Sequence, residues 1–167
     1  MTRQPTSAVP VRFPAGYGRP DPEDLQDWGD VEEKLRSALN YWLTTVGPAG
    51  TPHARPVDGV WVDGALCFGG SPDARWARNL QTSPAISVHL PSDAEAIIIE
   101  GSVEQVSDPS HPLAEASTAA TRQKYPQYFS GEAMPFQPFW VLRPSTAYAW
   151  RLDGFPQRAT RWTFEAA

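Results

Sequence analysis

The stretch ARPVDGVWVDGALCFGGSPDARWARNL, residues 54–80, decides how this chain folds. At its centre Asp63-Gly64 separates two runs of β-forming residues, "GVWV" and "ALCF". Asp-Gly in that setting marks a two-residue hairpin turn, because both central positions of the turn need a positive φ. The second strand runs into Gly69 and Gly70 and then into Ser71-Pro72-Asp73. Ser71 suits a helix N-cap, Pro72 the first helical position and Asp73 the positive end of the helix dipole, so a helix is predicted from Pro72 onward. The free N–H groups of such a helix offer an anion site, and the paired glycines let a ligand approach the backbone. Arg75 and Arg78 share one face of the helix, and the hairpin carries Arg55 toward the same strand end. Each piece alone also fits a plain strand end and a solvated helix face. Three converging arginines favour a phosphate.

Outward from this stretch the period stays at two. Upstream, "NYWLTTV" (40–46) is closed by the turn "GPAG", and "TPHARPVDGVWV" (51–62) returns beside it as an extended strand. Downstream, "AISVHL" (85–90) and "AIIIEGSVEQV" (96–106) flank the loop "PSDAE". A helix is predicted in "SHPLAEASTAATRQKYPQYF" (110–129), with Ser110 as a cap and Pro126 as a stop. "PFWVLRP" (138–144), "TAYAWRL" (146–152) and "ATRWTFE" (159–165) read as three more strands. An earlier helix opens on a capping box, Asp30 with Glu33, and lines up Val31, Leu35 and Leu39. Residues 1–22, broken by Pro5, Pro10, Pro14, Pro20 and Pro22, read as an extended or disordered arm, and residues 23–167 as one domain. About seven to nine strands with two or three helices make a mainly β protein, a β-barrel with added helices.

The bulk properties narrow the function. With 167 residues, 41% of them hydrophobic, the chain can bury a core without metal or disulfide staples. A net charge of -5 argues against a general nucleic-acid binder. No apolar run is long enough to span a bilayer, and no secretory leader is visible, so a cytoplasmic location without membrane attachment is expected. The single cysteine, Cys67, permits no internal disulfide and reads as a small buried strand residue. His53, His89 and His111 form no metal-ligand spacing, and no metal is expected. "GGSPD" lacks the G-x-S-x-G elbow of a hydrolase. Trp140, Tyr148, Trp150 and Trp162 read as barrel filling or dimer contact.

The ordered series "NYWLTTV", "ARPVDGVWV", "ALCFGG", "SPDARWARNLQTSP" and "AISVHL" resembles the pyridoxamine-phosphate-oxidase-like split β-barrels, the flavin/deazaflavin-dependent oxidoreductases, over residues 30–164. The resemblance implies a split β-barrel of FMN-binding type. It implies that Arg55, Ser71, Arg75 and Arg78 hold a ribityl-phosphate while the backbone from Pro56 and Val57 to Val60 flanks the tricyclic ring. Trp76 stands where many members carry a phosphate-binding Lys, which leaves Arg78 as the substitute. Trp76 itself would pack into the barrel or stack near the cofactor. True pyridoxamine phosphate oxidases end in an Arg-x-His signature that "ATRWTFE" lacks, so that activity is disfavoured. The branch containing coenzyme F-420-dependent reductases looks closer, with Arg158 and Arg161 as candidates for the longer anionic tail of F-420.

FMN and F-420 both present a ribityl-phosphate, so the arginines leave the choice between them open. The implied activity is hydride transfer to or from a small unsaturated substrate. Such chemistry belongs to the cofactor and demands no catalytic side chain. The alternative is a non-catalytic FMN-binding or haem-handling protein on the same barrel, with His53 or His89 as an axial ligand. A homodimer is expected with either.

Overall fold

The computed structural model describes residues 2–129 and 136–165. The proline-spaced arm is extended and supplies a short strand, β1 (Ser7–Pro10). Helix α1 (Trp28–Ser37) begins three residues ahead of the predicted capping box, because Asp27 accepts a hydrogen bond from the Gly29 N–H and acts as the N-cap. Its buried face is Trp28, Val31, Glu32 and Leu35, whereas Leu39 lies beyond the helix and is exposed. Next come β2 (Tyr41–Val46), β3 (Pro52–Val57), β4 (Gly59–Val62) and β5 (Ala65–Phe68). The turn between β4 and β5 is the predicted one, with φ of 49° at Asp63 and 75° at Gly64. Helix α2 (Arg75–Thr82) leads into β6 (Ala85–His89) and β7 (Glu95–Val106). Helix α3 (Pro112–Lys124), capped by His111 rather than Ser110, precedes β8 (Phe139–Arg151) and β9 (Thr160–Thr163).

All pairings are antiparallel, in the order β1-β9-β8-β7-β6-β2-β3, while β5 pairs with Trp140–Leu142 of β8, on the flank that β9 takes farther along, and β4 pairs with β5. The run "TPHARPVDGVWV" is therefore two strands. Its first half pairs with β2 as far as Val57, its second half pairs with β5 from Gly59, and Asp58 belongs to neither ladder. One bent segment thus forms two ends of the sheet, which stays open, a split barrel.

Conversely, "PFWVLRP" and "TAYAWRL" are a single strand. A bulge opposite Glu100 and Gly101 leaves Ser145 unpaired, so that Trp140, Leu142, Ala147 and Ala149 all face one core across an odd spacing. Trp28, Trp162 and Phe164 meet edge to face at its centre, with ring centroids 5.4 and 5.1 Å from that of Trp28. A second cluster of Val60, Cys67, Val141, Leu113 and Tyr125 seats α3 against β4 and β5.

The outer face of the sheet carries a row of register partners, Pro56, Trp42, His89, Ile98, Tyr148, Arg161 and Val9, crossing from β3 to β1. Trp42 and His89 stack in it at 6.1 Å. Trp140 and Trp162 are core residues, whereas Tyr148 and Trp150 are half-buried on the outside.

Candidate functional site

β5 delivers the chain to Gly69, Gly70 and Ser71, all exposed. The helix expected from Pro72 starts at Arg75 instead. Ser71 Oγ accepts from the Asp73 N–H at 3.2 Å, and the Ser71 carbonyl accepts from the Ala74 N–H at 3.0 Å, so residues 71–74 form a turn. Ala74 then stands extended at the N-cap, without a side-chain cap. This redirection lets Trp76, Ala77, Asn79 and Leu80 face inward together. The Trp76 ring packs 5.6 Å from that of Phe68 and so close over Gly70 that a Cβ there would sit 2.8 Å from it. Trp76 is 7% exposed and belongs to the core.

Polar contacts fix α2 over the end of β2 and β3. Asn79 Nδ2 donates to Thr45 Oγ1 at 2.9 Å, and Thr45 Oγ1 lies 3.5 Å from the His53 carbonyl; Asn79, Thr45 and His53 are all buried. Neither Asn79 nor Thr45 was singled out from the sequence, although an Asn between the apolar positions of an amphipathic helix is a signal that something polar waits beneath it.

This anchoring places Arg75 of α2 and Arg55 of β3 around one imidazole. Burial lowers the pKa of His53, and the charges of Arg75 and then Arg55 lower it further. His53, Arg55 and Val57 alternate onto the face that β2 fills with Thr45, Leu43 and Tyr41. Arg55 and Arg75 are exposed at their tips, and neither forms an ion pair among the described residues. Among the described residues the Arg55 side chain makes one hydrogen bond, to the carbonyl of its neighbour Ala54 at 3.3 Å. Arg78 differs: its guanidinium donates to the Asp73 carbonyl and braces the 71–74 turn.

Of the other sequence-derived positions, Pro56 turns to the outer face beside Trp42. Val60 is buried in the second cluster and pairs with Cys67 in the ladder of β4 and β5. Arg158 is held by Asp24 at 2.9 Å and by the Leu25 carbonyl, and Arg161 sits on β9, toward the other end of the sheet path. The structure does not bring these two to Arg55. Among the described residues, no three metal-ligating side chains come together.

An anion with several oxygens fits such a place. Arg55 of β3 and Arg75 of α2 both act on His53, α2 follows the glycine pair in the chain, and a Cβ at Gly69 would meet nothing within 4 Å. The residues thus fit the phosphate of a flavin-type cofactor.

Comparison with solved structures agrees on the fold. A pyridoxamine 5'-phosphate oxidase-related, FMN-binding protein from Nostoc punctiforme matches with a TM-score of 0.56 and 22% identity, covering 86% of this chain and 97% of that one. An F-420 reductase matches at 0.51 and 22%, covering 79% and 95%. HutZ, a haem storage protein from Vibrio cholerae, matches at 0.58 and 19%, covering 70% and 88%. No curated protein sequence matches. The sequence profile described as Pyridoxamine 5'-phosphate oxidase matches residues 29–151, from the first turn of α1 to the end of β8. That span takes in every element of the arginine site, and the chain belongs to the pyridoxamine 5'-phosphate oxidase-like family.

Proposed function

We propose that this protein is a flavin- or deazaflavin-dependent oxidoreductase of the cytoplasm that binds FMN or coenzyme F-420 and passes hydride to or from a small unsaturated substrate. The observation that carries the reading is the convergence of Arg55 and Arg75, from two elements and without acidic partners, beside the open Gly69–Ser71 turn. Arg55 and Arg75 hold the phosphate, the Ser71 hydroxyl completes the cradle, and Arg78 keeps the turn in place. The backbone from Pro56 to Val60 flanks the ring. When bound, the cofactor supplies the hydride chemistry, and the protein orients it and excludes water. Pyridoxamine phosphate oxidation is not the proposed reaction, because "ATRWTFE" offers no histidine for the substrate phosphate.

A homodimer belongs to this reading. The outer row from Pro56 to Val9 includes the partly buried rings of Trp42 and Tyr148, and Glu100 and Arg161 on that face are unpaired among the described residues.

The competing reading is non-catalytic FMN or haem handling, favoured by the placement of His53 beside Arg55 and Arg75, where its lowered pKa favours the uncharged imidazole that ligates iron. The test is titration of the purified protein with FMN, F-420 and haemin, beside Arg55→Ala and Arg75→Ala. Each substitution removes charge-assisted hydrogen bonds of about 1.5–3 kcal/mol, so binding of FMN or F-420 weakens by about 10- to 100-fold. Binding of neither cofactor, with a Soret band that His53→Ala abolishes, sinks the oxidoreductase reading.

A further inference from the structure

Where β3 becomes β4, the backbone leaves one ladder before it enters the next. Tyr41 pairs with Val57 on one side and Phe68 with Gly59 on the other, with Asp58 between them. Polar groups at such a crossing must find partners outside the sheet. The end of α3 supplies them. Tyr125 Oη accepts from the Gly59 N–H at 3.0 Å and lies 2.9 Å from the Gly59 carbonyl and 2.7 Å from that of Leu39. Its hydroxyl has a single proton, so it can serve only one of those carbonyls at a time. Lys124 Nζ covers the shortfall, donating to the Gly59 carbonyl at 3.2 Å, to the Ala38 carbonyl at 2.8 Å and to Tyr41 Oη at 3.2 Å. Asn40 Nδ2 at 2.8 Å and the Tyr128 hydroxyl fix the Asp58 carboxylate.

The bend is therefore held by residues remote in sequence, and it lies within the segment proposed to flank the cofactor ring. Among the described residues no carboxylate pairs with Lys124; its ammonium rests instead over the Tyr41 and Tyr125 rings, at 5.3 and 5.9 Å. An ammonium used only to brace a surface loop would keep its water. This one is half-buried and aimed at the carbonyl of Gly59.

Resting on the reading of the site given above, we propose that Lys124 and Tyr125 are positioning residues for the cofactor ring. They clamp the Asp58–Gly59 bend and so set the surface and the field that the ring meets, while Arg55 and Arg75 hold its phosphate. Affinity and ring environment are then governed by different residues.

The test compares wild type with Tyr125→Phe, Lys124→Met and Lys124→Arg, each titrated with FMN and with F-420. Two further readouts are taken: hydrogen exchange at the Gly59 amide, and the visible band and midpoint potential of the bound ring. Tyr125→Phe is expected to speed Gly59 exchange by about tenfold, the loss of one hydrogen bond. Its dissociation constant stays within about threefold of wild type, because the phosphate contacts, which carry the affinity, are untouched. The band and the potential shift in Tyr125→Phe and Lys124→Met and return toward wild type in Lys124→Arg. Should Lys124→Met fail to fold, Tyr125→Phe, which loses one oxygen, carries the test alone. Faster exchange with band and potential unchanged would show a purely structural brace and overturn the proposal while the site reading stands. Wild type that binds neither cofactor overturns both.

Discussion

Lys124 shows how much a single residue can reveal. It is one of only two lysines, and the sequence marks it merely as the end of a helix. The structure half-buries it against three neutral acceptors, and burial lowers its pKa from 10.5 to about 8. The sign follows: between about pH 8 and 10.5 the unfolded chain carries more of this proton than the folded one, so unfolding free energy rises with pH. Tyr41 and Tyr125 oppose this from about pH 10 upward. Burial raises both their pKa values, so the stability they contribute is present below 10.0 and lost as the pH climbs through the raised values. Urea midpoints measured from pH 7 to pH 10 should therefore climb more steeply in wild type than in Lys124→Met; equal slopes would contradict the assignment. Arg75 was legible as a cation that follows the glycine turn in the chain, whereas Arg55 stands on β3 beside β2 and not on the Asp63-Gly64 hairpin expected to carry it. Lys124, Asn79 and Thr45 were not legible, since their roles depend on partners 34 to 86 positions away.

At the scale of elements, alternation and turn chemistry placed the strands well, and the Asp63-Gly64 hairpin stands as expected. Two junctions escaped. The pattern of "HARPVDGVWV" runs unbroken through Asp58 although the ladder changes partners there, because pairing is a property of the sheet and not of the strand. The bulge in β8 escaped for the converse reason: Pro144 and Ser145 look like a break, yet the strand continues past them. Gly101 sits opposite this bulge, where a Cβ would come 2.2 Å from the Arg143 carbonyl. Backbone that close must move, so Gly101→Val is expected to cost about 1–3 kcal/mol by overpacking. Thermal melts of the variant would read this, and a Tm equal to wild type would disprove the close approach. The α2 start was misplaced by three residues, because Ser71 does accept a hydrogen bond from the backbone, but within a turn.

For the whole molecule, the split barrel was recognisable as a series of motifs, none decisive alone, and the family profile spans that same series. What no single chain displays is its neighbour. The outer row through Trp42 gives a concrete test: Trp42→Glu is expected to convert a dimer into a folded monomer, read by light scattering coupled to size exclusion, with Tm kept near wild type. A monomeric wild type, or a variant that stays dimeric, would remove that face as the contact.

The two strands that end the long sheet path share one further trait. β1 contains Pro10, with Pro5 just ahead of it, and β3 contains Pro52 and Pro56. Proline has no N–H to offer an incoming strand, so each margin presents gaps where an added chain would seek a donor. In a crowded solution an open sheet of this length would otherwise be a template for stray chains, and the proline-spaced arm finishes one margin of the sheet with fewer donors for such a chain to find.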